Sequence, residues 1–195
     1  MTKVDLRARL TEEAMRLLAE GRDDLTLRAV ARAAGVSAMA PYRHFADKAA
    51  LLGAVKQEGF RRLREAVRLS EAGTPTAGEA LIAQGLAYLA FAQAHPALFR
   101  LMFASPLASP APMDGAADTA YGALVRRMSL LLPEMVEVGT TAAWSIVHGL
   151  TTLTLDGRLP PDPGHARAVL SLFVAGLAAS RQAGSTARAG DQEPP

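Results

Sequence analysis

Tyr42, Arg43 and His44 follow one another without a gap, and Lys48 stands shortly beyond them. Thr26 and Arg28 lie upstream. Phenol, guanidinium, imidazole, ammonium and hydroxyl groups share one capacity, the donation of hydrogen bonds to anionic oxygen. Donors gathered in so short a span suit the phosphates of a nucleic-acid backbone. Residue types for covalent or metal chemistry gather nowhere. The chain has no cysteine, which removes disulfides, thiolate metal sites and a cysteine nucleophile. The four histidines, His44, His95, His148 and His165, form no i,i+4 pair and no His-Glu-x-x-His motif. There is no Gly-x-Ser-x-Gly elbow and no glycine-rich phosphate loop behind a strand. These absences point to a binding protein and not an enzyme, with no metal and no cofactor.

The elements that must hold those donors are helices, because apolar residues recur at helical spacing almost throughout. Leu6, Leu10, Ala14, Leu17 and Leu18 make one face of a helix over about Lys3–Glu20, which Gly21 stops. Thr26 is placed to cap a second helix, Leu27–Ala34, ended by Gly35. Ser37 is placed to cap a short third, Ala38–His44, and Asp47 a long fourth, Lys48 to about Ser70. Two short helices joined through a glycine turn are the pattern of a helix-turn-helix, whose second helix enters the DNA major groove. A helical corner in a bundle carries the same bare pattern. Pro41 sits inside the third helix and removes roughly its first internal hydrogen bond, which a helix this short tolerates. The groove-facing run Ala38, Met39, Ala40 has almost no side-chain donors or acceptors. Base reading there must lean on thymine methyl contacts, on Arg43 or Tyr42, and on DNA shape.

The stretch LTLRAVARAAGVSAMAPYRHFADKAALLGAV, residues 25–55, closely resembles the DNA-binding domain of the TetR family of bacterial transcriptional repressors. Thr26, Val30-Ala31, Ala34-Gly35-Val36-Ser37, Tyr42-Arg43-His44-Phe45, Lys48 and Leu51-Leu52 carry the match. The resemblance implies a three-helix DNA-binding domain, a fourth helix joining it to a larger helical core, and a homodimer on a near-palindromic double-stranded DNA operator. It also implies that Thr26, Tyr42, His44 and Lys48 contact phosphates. Ala38, Met39 and Ala40 depart from the Lys, Gly or Thr that family members often carry at the start of the recognition helix.

Beyond a Gly/Pro/Thr linker at 72–78, helices are expected at about Ala77–Ala94, from Pro96 through ALFRLMFA, at Ala116–Leu132, Val138–Leu155 and His165–Ala183. The count is about nine helices, an all-α architecture. The domains read as 1–62 for DNA binding, 63–183 for a helical ligand-binding and dimerisation domain, and a disordered tail from 184 to 195. Trp144 and His148-Gly149 share one helix face at i,i+4. They resemble the Trp-His-Gly (WHG) class of C-terminal domains in the same family. Two readings of Trp144 and His148 stay open: plain core packing, or the wall of an effector cavity. For the cavity, Tyr88, Phe91, Phe99, Met102, Phe103, Tyr121, Val125 and Met128 are the other candidates, and such a lining favours a mainly hydrophobic effector. Val169, Leu172, Phe173, Gly176 and Leu177 make an apolar stripe for the dimer interface.

The function expected is thus a ligand-responsive repressor, released from its operator by a small effector. The alternative is a ligand-independent or activating helix-turn-helix regulator controlled by a protein partner. Charge agrees in sign. The net charge is +2, but residues 1–65 hold 13 Lys+Arg against 9 Asp+Glu, an excess of +4 in the DNA-binding part. The charged N-terminus has no signal-peptide apolar stretch, and no apolar run reaches the roughly 18 residues of a membrane span. A cytoplasmic setting without membrane association is expected.

Overall fold

The computed structural model describes residues 5–21, 25–104 and 119–190, with side chains through 182. Among these residues are eight α-helices and two single 3-10 turns, and no strand. The helices are α1 (Leu6–Ala19), α2 (Leu27–Ala33), α3 (Lys48–Ser70), α4 (Ala77–Ala94), α5 (Pro96–Phe103), α6 (Ala120–Leu131), α7 (Val136–Leu155) and α8 (Pro163–Gly190). The 3-10 turns are Pro41–Arg43 and Pro133–Met135.

Short polar side chains set most of the helix starts. Asp5 accepts from the Arg7 N–H, Thr26 from Ala29 and Asp47 from Ala50. Thr76 accepts from the Glu79 N–H and donates to its carboxylate, and Thr119 caps α6 through the Gly122 N–H. Each supplies an acceptor for an N–H that has no partner within its helix. The Thr119 cap moves the start of α6 to Ala120; the expected start at Ala116 lies outside the described residues, as does the Pro/Ser loop 105–115. α8 also differs from expectation, since its backbone stays helical through Gly190 and the tail expected from Gly184 is helical that far. Small residues such as Ala183, Ala187 and Ala189 favour helix even without an apolar face.

The helices group into two units. The first holds the residues up to Arg62 together with the segment that contains α5. Leu10, Ala14, Val30, Ala31, Phe45, Leu51 and Val55 are buried in it. α5 packs on α1, buries Leu98, Phe99 and Met102, and sets the Phe103 ring edge-on to Phe60 of α3 at 5.5 Å. The ion pairs Glu58–Arg61 and Glu58–Arg62 run along α3, and Arg62 also reaches Glu12 on α1. Hydrogen bonding from Arg61 in the first place, and from Arg62, holds the Glu58 carboxyl down at about 2.

The second unit runs from Leu63 to Gln93 and continues with α6, α7 and α8. α4 is apolar on nearly every side, as a helix enclosed by others must be. One core cluster joins Leu81, Met128, Leu132, Ala143 and Leu177, and a second joins Leu89, Leu150 and Ala166. At Gly85 the absence of a side chain lets Leu170 of α8 approach closely: a Cβ there would lie 2.7 Å from Leu170 Cδ1.

Candidate nucleic-acid interface

The turn between α2 and the following segment is a Schellman motif. The Gly35 N–H bonds the Arg32 carbonyl at 3.1 Å and the Val36 N–H bonds that of Ala31 at 3.0 Å. The motif needs a left-handed residue at its corner, and Gly35 takes φ +65°. Arg9 of α1 adds a third bond, donating from Nη2 to the Ala34 carbonyl at 2.6 Å. The corner is therefore fixed from both sides.

The expected α-helix Ala38–His44 does not form. Ala40 N–H bonds the Ser37 carbonyl at 3.0 Å, His44 N–H bonds that of Pro41 at 2.9 Å, and only Pro41–Arg43 is helical, as a 3-10 turn. Pro41 contributes, since an α-helical bond to the Ser37 carbonyl would need the N–H that proline lacks. The carbonyl turns instead to Ala40 one residue earlier, the tighter spacing of a 3-10 turn. The cap position falls on Ala40 and no side chain caps the turn, so the cap expected of Ser37 is absent.

This turn presents the donors. Pro41 and Phe45 are both buried, while Tyr42, Arg43 and His44 between them are exposed. The Arg7 guanidinium lies over the Phe45 ring, 5.2 Å from its centre, and holds it from the outer side. Two buried anchors thus push three consecutive polar tips outward. Lys48, Thr26 and Arg28 are exposed as well. Thr26 Oγ1 accepts the cap bond from Ala29 at 3.1 Å, a bond that does not use its hydroxyl proton. Ala38 is exposed and Met39 is 68% exposed, an apolar tip among the polar ones.

The cavity candidates divide between the units. Phe99, Met102 and Phe103 lie on α5 in the first; Tyr88, Phe91, Tyr121, Val125, Met128, Trp144 and His148 lie in the second. Met128 is fully buried in the cluster with Leu81, Leu132, Ala143 and Leu177, so packing accounts for it. Tyr88, Tyr121, Trp144 and His148 do meet. The Tyr88 hydroxyl is 2.9 Å from His148 Nδ1, the Trp144 and His148 rings are 5.5 Å apart, and Tyr121 stands edge-on to Trp144 at 6.3 Å. Burial pushes the Tyr88 phenol well above its usual range, against a hydrogen bond from Trp144, and burial lowers His148. A protonated phenol beside a neutral imidazole fits both shifts, and the imidazole tautomer sets which of the two donates. Of the dimer candidates, Leu177 is buried in its own chain, Val169 and Phe173 are half-buried, and Gly176 and Leu172 are exposed, Leu172 at 77%.

The sequence reading missed Glu71, Gln84 and Arg127. Gln84 donates from Nε2 to Glu71 Oε1 at 2.6 Å, and Arg127 donates from Nη2 to Glu71 Oε2 at 2.7 Å. The available signal was Gln84 itself, a polar residue on the buried side of the otherwise apolar run ALIAQGLAYLAFA.

A glycine-cornered pair of short elements with exposed donors at one end, joined by a long helix to a larger helical unit, defines a helix-turn-helix regulator of transcription. The chain belongs to the TetR family. Residues 10–55 match the bacterial regulatory proteins of the tetR family, and residues 81–190, more than half of the chain, match the tetracyclin repressor-like C-terminal domain. The chain is 31% identical over 129 residues to the HTH-type transcriptional repressor DrrR1 of Streptomyces coeruleorubidus, a match covering 66% of this chain but only 46% of that protein. Among solved structures, a protein of unknown function from Rhodococcus sp. RHA1 is similar at 30% identity and a TM-score of 0.75, with 92% of this chain and 96% of that one covered. A TetR family transcription regulator from Marinobacter aquaeolei VT8 shares the fold at 20% identity and a TM-score of 0.67, covering 87% and 93%. Among the described residues, no helix is long and apolar enough to cross a membrane.

Proposed function

We propose that this TetR-family regulator is a ligand-responsive repressor that binds a near-palindromic operator as a homodimer and is released by a small, mainly hydrophobic effector. The observation that carries the DNA-contacting roles is the projection of Tyr42, Arg43 and His44 between the buried anchors Pro41 and Phe45. With Thr26, Arg28 and Lys48 they supply donors for phosphates on either side of a groove, while Met39 and Ala38 offer methyl and methylene surface to thymine. The 3-10 geometry leaves little room for a dense set of base-edge hydrogen bonds, so DNA shape carries much of the specificity. One such head makes few contacts, and two at a fixed separation roughly double the binding free energy.

Repression is supported by the likeness to DrrR1, a repressor by name. For release, an effector must favour the conformer that does not fit DNA. Near-complete switching takes about 10⁴-fold differential affinity, about 5.5 kcal/mol. The Tyr88–His148–Trp144 chain supports a place for that effector in the second unit.

Selection of random duplexes by the purified protein at about 0.1 M salt, a strength at which phosphate contacts are partly screened, tests the reading. An enriched two-fold sequence is the expected result. A folded protein, free of co-purified small molecules, that enriches nothing would refute it. An effector that binds tightly yet leaves operator affinity unchanged would refute the regulatory part alone.

A further inference from the structure

We infer that Glu71, Gln84 and Arg127 are the polar anchor of a ligand site in the second unit. The group they take is uncharged and both donates and accepts a hydrogen bond, a hydroxyl or primary amide on a mainly apolar molecule. This rests on the ligand-responsive reading and names the chemistry of its effector. One carboxylate gathers residues from three places: Glu71 just past the end of α3, Gln84 on α4 and Arg127 on α6. Gln84 is only 5% exposed. Its NH₂ group is committed to Glu71, and its Oε1 is buried with no hydrogen-bond partner among the described residues. Arg127 is in the same position, its Nη2 on Glu71 and its Nε buried with no acceptor among the described residues. Rotating the Gln84 amide does not help, since its oxygen would then face the Glu71 carboxylate, acceptor against acceptor. Arg127 cannot shed its proton either. A buried acceptor and a buried donor are therefore built in, and the large majority of buried polar groups in folded proteins have a partner.

Charge selects the class of that partner. Glu71 cancels Arg127, so the anchor attracts neither anion nor cation strongly, and a ligand carboxylate would meet Glu71 as well as Arg127. A hydroxyl or primary amide can donate to Gln84 and accept from Arg127 without charge. The apolar part of the ligand follows from the neighbours: Leu81 lies one turn before Gln84, Met128 adjoins Arg127, and both belong to the same apolar cluster. Glu71 is only partly buried, which leaves the anchor an edge toward solvent.

Calorimetry on the full-length protein with octan-1-ol, octanamide and sodium octanoate tests the assignment. The two neutral compounds are expected to bind saturably and the octanoate at least tenfold more weakly. Arg127→Lys keeps a cation for Glu71 and deletes Nε; Gln84→Met keeps the bulk and deletes Oε1. Each is expected to weaken octan-1-ol and octanamide tenfold or more, and with two variants a folding failure in one leaves the other to decide. Octanoate binding as well as the neutral compounds, unchanged binding in both variants, or no binding of either neutral compound overturns the proposal. So does a crystal structure in which one ordered water joins Gln84 Oε1 to Arg127 Nε and stays in place with octan-1-ol present. If a screened compound releases operator DNA from Arg127→Lys as readily as from the unaltered protein, the anchor fails while ligand-responsive repression stands. If no compound releases DNA from the unaltered protein, the repression reading itself fails.

Discussion

The Lys48 ammonium is exposed at the first residue of α3, close in sequence to the projecting turn. A phosphate contact there carries no sequence information and works by releasing counterions. Lys48→Ala should therefore weaken binding to all operators to a similar degree and reduce the slope of log affinity against log salt by about one. Fluorescence titrations at several salt concentrations check this; an unchanged slope removes Lys48 from the interface. His148 behaves differently because burial lowers it from 6.5, with its Nδ1 2.9 Å from the Tyr88 hydroxyl. As pH falls through 6.5, the unfolded chain takes up the proton before the folded chain does. Stability present above 6.5 is then lost progressively until the folded group protonates too. Urea midpoints measured between about pH 5 and pH 8 should fall on the acid side, and less so in His148→Gln. The donors of the head were legible as residue types at a fixed spacing. Glu71 and Arg127 were not, since their roles depend on a partner in another helix, and only Gln84 stood out against its apolar neighbours.

At the scale of elements, capping chemistry marked boundaries well. Asp47 and Thr26 open α3 and α2 where a short polar residue before a periodic run predicts it, and Pro96 separates α4 from α5. The third element was misread because the weight of Pro41 depends on what surrounds it. A proline there is compatible with a short α-helix or with a 3-10 turn. Burial of Pro41 and Phe45 on the first unit's core decides for the turn, and burial is a tertiary property. Close helix crossings are equally hidden. Gly85→Ala gains about 1 kcal/mol of helix propensity. Against that, the new Cβ would lie 2.7 Å from Leu170 Cδ1, and Leu170 is itself buried and has little room to move. Overpacking of this kind costs about 1–3 kcal/mol, so the net effect should be a loss of about 1 kcal/mol. Urea denaturation reads it as a lowered midpoint at constant slope; a raised midpoint would mean that α4 and α8 separate easily.

For the whole molecule, the operator reading needs two chains, and Leu172 is the most exposed large apolar residue among those described. Leu172→Asp should shift sedimentation toward the monomer and weaken operator binding, with thermal stability little changed if the residue faces solvent within its own chain. A variant that stays dimeric would move the interface elsewhere. The all-α class and the order of helices were legible from periodicity, but not the grouping of α5 with the head, because that contact joins segments far apart in sequence.

That grouping bears on how the protein is made and how it can be rearranged. The head is discontinuous in the chain: α1, α2, the projecting turn and most of α3 come first, and α5 arrives only after α4. On the ribosome the reading head cannot finish folding when its own helices emerge; it waits for Leu98, Phe99 and Met102 to seal it. A chimera cut after residue 62 would strip α1 and α3 of that cover. To graft this specificity onto another regulator, both pieces must travel together.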